Sequence, residues 1–90
     1  MSKRVAYKVE GVVQGVNFRS YTVKQASSLG MTGYVKNNSD GTVSGEAQGN
    51  DSAVHKFVQL LNLGPSAAKV ENVDVRDIPT EDGESGFRQG

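Results

Sequence analysis

Arg19 closes the stretch Val9-Glu10-Gly11-Val12-Val13-Gln14-Gly15-Val16-Asn17-Phe18-Arg19, in which a strand pattern runs into a glycine-marked loop and a helical pattern then opens. The chemistry that such a stretch can do is anion binding. Backbone N–H groups in a tight turn, and at the start of the following helix, have no carbonyl partners of their own. They form a concave nest of donors suited to a tetrahedral oxyanion. An arginine at the lip adds a permanent charge and a planar fork of donors matched to phosphate oxygens. Asn37 is the second residue of interest. It closes a later strand pattern just before a hairpin, and it shares a face with Val35 by the period of two. With Val35 facing the core, Asn37 stands at the core's edge, where its carboxamide can accept from a water and donate to an oxyanion at once. This set holds no usual general base, no serine–histidine pair and no metal cage. A small phosphate-handling site is the reading that it supports.

The elements that must position these residues are legible from periodicity. Arg4 to Glu10 alternates as a half-buried strand, with Val5, Tyr7 and Val9 on one face, and Gly11 and Gly15 bracket the turn that follows. A helix is predicted over Arg19 to Leu29, with Phe18, Thr22, Ala26 and Leu29 on one stripe and Gly30 as its stop. Thr32–Asn37 and Thr42–Gln48 read as strands joined by Asn38-Ser39-Asp40-Gly41, a hairpin signal because these residues tolerate positive φ. Asn50 or Asp51 caps a second helix with Val54, Phe57, Val58 and Leu61 on its apolar face, ended by Leu63-Gly64-Pro65. Lys69–Ile78 is a fourth strand with Val73 and Val75 inward. The order β-α-β-β-α-β leaves two helices, each with one apolar face, to be buried against one sheet face. This is a ferredoxin-like two-layer α/β (α+β) sandwich with a four-stranded antiparallel sheet. Pro79 to Gly86, with Glu81, Asp82 and Glu84, is expected to be a solvated loop, after which Phe87 returns a short edge strand. His55 is expected on the exposed side of the second helix, without a catalytic role.

Composition bounds the function. The 90 residues are expected to form a single domain over 1–90. A chain of this mass buries roughly 60–65% of its unfolded surface, enough for one two-layer core. The absence of cysteine excludes disulfides and thiolate metal sites, and a single histidine cannot build a multi-histidine centre. No run of apolar residues is long enough to span a membrane and none resembles a signal peptide, so a soluble cytoplasmic protein is expected. Net charge is zero. Up to Gly49 Lys3, Arg4, Lys8, Arg19, Lys24 and Lys36 outnumber Glu10, Asp40 and Glu46, and the balance reverses beyond. That asymmetry falls short of the basic stripe that nucleic-acid binding requires.

With both stretches in view, Val9 to Arg19 and Gly33-Tyr34-Val35-Lys36-Asn37 followed by Asn38-Ser39-Asp40-Gly41-Thr42-Val43, the sequence resembles the acylphosphatase family. Leu63-Gly64-Pro65 is similar to the family's exit from the second helix, so the resemblance covers nearly the whole chain. It implies hydrolysis of the anhydride between a carboxylate and phosphate, on a small-molecule acyl phosphate. Arg19 would bind the phosphoryl group, helped by backbone N–H groups of Gly15, Val16, Asn17 and Phe18, and Asn37 would hold the attacking water. Thr42 matches a hydroxyl position near the site. No metal or other cofactor, no nucleic acid and no membrane partner is expected, and the chain is expected to act as a monomer.

Two positions depart from the family's pattern. Gly45 stands where a larger apolar residue is usual, which implies thinner packing. The end of the chain, Phe87-Arg88-Gln89-Gly90, lacks the apolar residue common two positions after the phenylalanine. In some members the terminal carboxylate pairs with the catalytic arginine, and Gly90 could do so here. The competing readings are an RNA- or ligand-binding module of the same fold, for which Tyr34 is the one aromatic placed on the open sheet face, and an acylphosphatase-like domain within a larger assembly. A P-loop is excluded because the glycine segment lacks the lysine and serine or threonine that follow it there.

Overall fold

A computed structural model describes residues 2–90. Its elements are β1 (Ser2–Val12), α1 (Phe18–Ser28), β2 (Thr32–Asn37), β3 (Val43–Asn50), α2 (Asp51–Leu63), β4 (Lys69–Ile78) and β5 (Phe87–Gln89). The sheet order is β4-β1-β3-β2-β5. The first four strands pair antiparallel, as expected from the ferredoxin-like order. β5 pairs with β2 in parallel, so the complete sheet is mixed. The parallel sense follows from the route of the chain: β4 ends beside the start of β1, residues 79–86 cross that end of the sheet, and β5 sets out beside the start of β2 and runs in its direction.

Inward side chains of alternating strand residues form the core with one face of each helix. Val5, Tyr7, Val9, Val35, Val43 and Ala47 meet Phe18, Thr22 and Ala26 of α1 and Val54, Phe57 and Leu61 of α2. Phe57 joins the two layers. Its ring meets Tyr7 edge-on at 5.3 Å and Phe87 at 5.9 Å, a geometry that adds quadrupole attraction to area burial. α2 starts cleanly because the Asn50 side chain accepts from the Ala53 N–H at 2.8 Å.

Four details differ from the sequence reading. β1 extends past Gly11, which lies in a bulge inside the strand rather than opening the turn. Its φ is 130°, and a Cβ there would lie 2.1 Å from the Lys69 carbonyl oxygen. Val75 pairs with the inward Tyr7 but is left 39% exposed, because β4 is the sheet edge. The packing around Gly45 is not thin. The Tyr7 hydroxyl fills the space and donates to the Tyr34 carbonyl at 2.8 Å. Finally, Glu84 is no solvated loop residue. Its carboxylate binds Arg4 at 2.8 Å, and Glu46 binds the same guanidinium at 2.9 Å, leaving Arg4 only 2% exposed on the sheet face opposite the helices.

Candidate active site

The site is built from three chain segments, each positioned for a local reason. Beyond β1 the chain bends through Val13–Asn17, and positive φ at Gly15 (73°) and Asn17 (64°) turns it into α1. Asn17 is the N-cap residue, yet its side chain caps nothing. The first backbone bond of the helix is Tyr21 N–H to the Asn17 carbonyl at 3.0 Å. Among the described residues the N–H groups of Gly15 to Phe18 donate to no backbone carbonyl outside the regular elements. A left-handed residue followed by right-handed helix is the conformation that points successive N–H groups into one hollow. The positive end of α1 lies behind it.

Arg19 is the second residue of α1 and only partly exposed, and among the described residues it makes no ion pair. Asn37 is the exposed last residue of β2. The register fixes its side. Val35 is fully buried, so Asn37, two residues on, turns toward the same helix-bearing face at the sheet's end. The two meet in a cleft of about 270 Å³ lined by Val13, Gly15, Asn17, Phe18, Arg19, Ser20, Asn37 and Gln89. Of the residues assigned to phosphate binding, only Val16 does not line it. Its side chain packs against the core, which leaves a role for its N–H alone.

The lining carries one cation, three carboxamides (Asn17, Asn37 and Gln89), a hydroxyl and free amides, with no carboxylate or imidazole. Thr42 is not part of the lining. Its hydroxyl donates to Asp40 Oδ1 at 2.6 Å and accepts from Asn38 Nδ2 at 2.9 Å, and its N–H donates to the same Asp40 oxygen at 3.0 Å. These bonds, from the Thr42 hydroxyl first, hold the Asp40 carboxyl below the usual range and lock the hairpin. Gly90 donates its N–H to the Val35 carbonyl at 2.7 Å and makes no ion pair with Arg19.

Two residues near the site escaped sequence reading. Gln89 reaches the cleft because β5 pairs in register with β2, setting Gln89 opposite Val35. Gln14 sends Nε2 to the carbonyls of Asn38 at 2.7 Å and Thr42 at 3.0 Å, tying the loop to the hairpin. A loop side chain has no periodicity to betray its direction, and the only signal was Gln14's place inside the glycine stretch.

A larger cleft, about 480 Å³, lies on the open sheet face between Tyr34, Lys36, Ser44 and Arg76. It contains neither Arg19 nor Asn37, and its lining mixes Lys8, Lys36 and Arg76 with Glu46 and Asp74.

The family model for acylphosphatase matches residues 5–89. The chain belongs to the acylphosphatase family. An acylphosphatase from Salinibacter ruber is 43% identical over 86 residues, covering 96% of this chain and 90% of that one. The structure of an acylphosphatase from Coxiella burnetii superposes with a TM-score of 0.94 at 38% identity, over 99% of this chain and 93% of that chain. The acylphosphatase from Bacillus subtilis gives 0.94 at 31% identity, over 100% and 99%. Membership makes the chain an enzyme, a hydrolase of acyl phosphates. Among the described residues no helix is long and apolar enough to cross a membrane.

Proposed function

We propose that the Arg19 cleft is where an acyl phosphate is hydrolysed, with Arg19 and the N–H groups of Gly15, Val16, Asn17 and Phe18 holding the phosphoryl group and Asn37 directing the water. The observation that carries this reading is the convergence of one unpaired guanidinium, a row of free amides and the Asn37 carboxamide in a single cleft. In the reaction the water oxygen bonds to phosphorus as the bond from phosphorus to the acyl oxygen breaks. The carboxylate leaves with the electron pair. A carboxylate is a good leaving group, so no strong acid is required, and a loose phosphoryl-transfer transition state demands chiefly positioning and charge stabilisation. With no carboxylate or imidazole in the lining, the water's proton goes to a phosphoryl oxygen of the substrate.

Independence from metal is part of the proposal. Its support is the donor set, which offers nitrogen donors to an anion and no anionic ligand to a cation. The cleft is complete within one chain, which supports action as a monomer on a free small molecule, and we place it in the cytoplasm. An RNA-binding role has less support, because the Arg88 guanidinium already lies over the Tyr34 ring, 5.9 Å from its centroid. The test is release of phosphate from acetyl or benzoyl phosphate in EDTA. Undiminished turnover is expected, and strict dependence on magnesium would refute the metal-free mechanism.

A further inference from the structure

We propose that Gln14 is a positioning residue for this reaction: its carboxamide fixes the phosphate-binding loop against the hairpin that carries Asn37, and so sets the gap between phosphorus and water. The inference rests on the roles given above to the loop and to Asn37. Gln14 belongs to the loop but does not line the cleft, so it acts on substrate only through others. Both hydrogens of its amide are used, one on the Asn38 carbonyl at 2.7 Å and one on the Thr42 carbonyl at 3.0 Å. Among the described residues these are the hydrogen bonds that join residues 13–17 to residues 37–42.

Its partners belong to a rigid unit. The Asn38 N–H donates to the Thr42 carbonyl at 2.8 Å, and the Asn38 side chain donates to Thr42 Oγ1 and Ser44 Oγ, each at 2.9 Å. A clamp touching that unit at two points fixes its rotation as well as its distance. Asn37 immediately precedes Asn38, and its side chain has no hydrogen-bond partner of its own among the described residues. Its aim is inherited from the hairpin. Reaction within a bound complex is steep in such geometry, and a displacement of about 1 Å can cost on the order of 100-fold in rate.

The experiment is a double-mutant cycle read by kcat and by competitive inhibition with inorganic phosphate. Gln14→Leu should lower kcat about 10- to 100-fold and leave the phosphate inhibition constant within about threefold, because Arg19 and the free amides are untouched. In an Asn37→Ala background the same substitution should lower kcat no further. Gln14→Glu supplies a second variant. Its carboxylate faces two carbonyl oxygens and repels them, whereas its protonated form can donate, so its kcat relative to the parent should climb as pH falls.

Three results would overturn the proposal: an unchanged kcat in Gln14→Leu, a loss in parallel with weakened phosphate binding, or an equal loss with and without Asn37. The underlying reading fails separately. If Asn37→Ala itself leaves kcat intact, the water assignment is wrong. If Asn37→Ala lowers kcat and Gln14→Leu does not, only the clamp is wrong.

Discussion

At the residue scale the account depends on a division of labour between Arg19 and Asn37. Replacing Arg19 by Ala removes a charge-assisted clamp, and kcat should fall by about 10²–10³ (~3–4 kcal/mol). Arg19→Lys should fare nearly as badly, since an ammonium cannot reproduce the fork. Asn37→Ala should behave differently, with turnover lost and phosphate inhibition nearly preserved. Steady-state kinetics with phosphate as competitor separates the two roles. That the two stand beside one cleft is legible in the sequence, because glycines and an Asn/Asp/Gly hairpin punctuate the chain on either side of them. Gln14 is not, since its partners are backbone carbonyls 24 and 28 residues away. In the sequence Arg4 is one basic residue among several. It is buried by carboxylates 42 and 80 residues distant, which no local pattern can reveal.

At the scale of elements, the strand-to-helix turn and the end of β2 deliver the site, and the sheet keeps them in register. Gly45 shows how tightly that register is drawn. A Cβ at this position would lie 2.0 Å from the Tyr34 carbonyl oxygen and 2.6 Å from the Tyr7 hydroxyl. Gly45→Ala should therefore force β2 from β3 and destabilise the fold by about 2–3 kcal/mol, measurable by urea denaturation. The order of the first six elements and the apolar faces of both helices followed from periodicity. The parallel sense of β5 did not, because three residues carry no directional signal and the turn before them has no pairing partner in sequence.

At the scale of the whole molecule, the Arg4 cluster straps the 79–86 segment across the open sheet face and thereby feeds β5 to the edge of β2. The hydrogen bond with Arg4 is the leading cause that lowers the Glu84 carboxyl below its usual 4.5. A carboxyl depressed by folding stabilises the native state above its unfolded value, and that contribution is lost as pH falls through the folded one. Glu84→Gln should therefore cost about 1.5–3 kcal/mol near neutrality. The gap between the variant and its parent should close below pH 4.5, a difference that thermal melts across pH will resolve.

The central claim is that one guanidinium and a row of free amides hold the phosphoryl group beside Asn37. A crystal structure of the protein soaked in inorganic phosphate tests it directly. The anion should sit in the 270 Å³ cleft, taking donors from Arg19 and from the N–H groups of residues 15–18, with the Asn37 carboxamide facing a water next to it. Phosphate bound elsewhere, with the Arg19 and Asn37 side chains turned away from each other, would contradict the account.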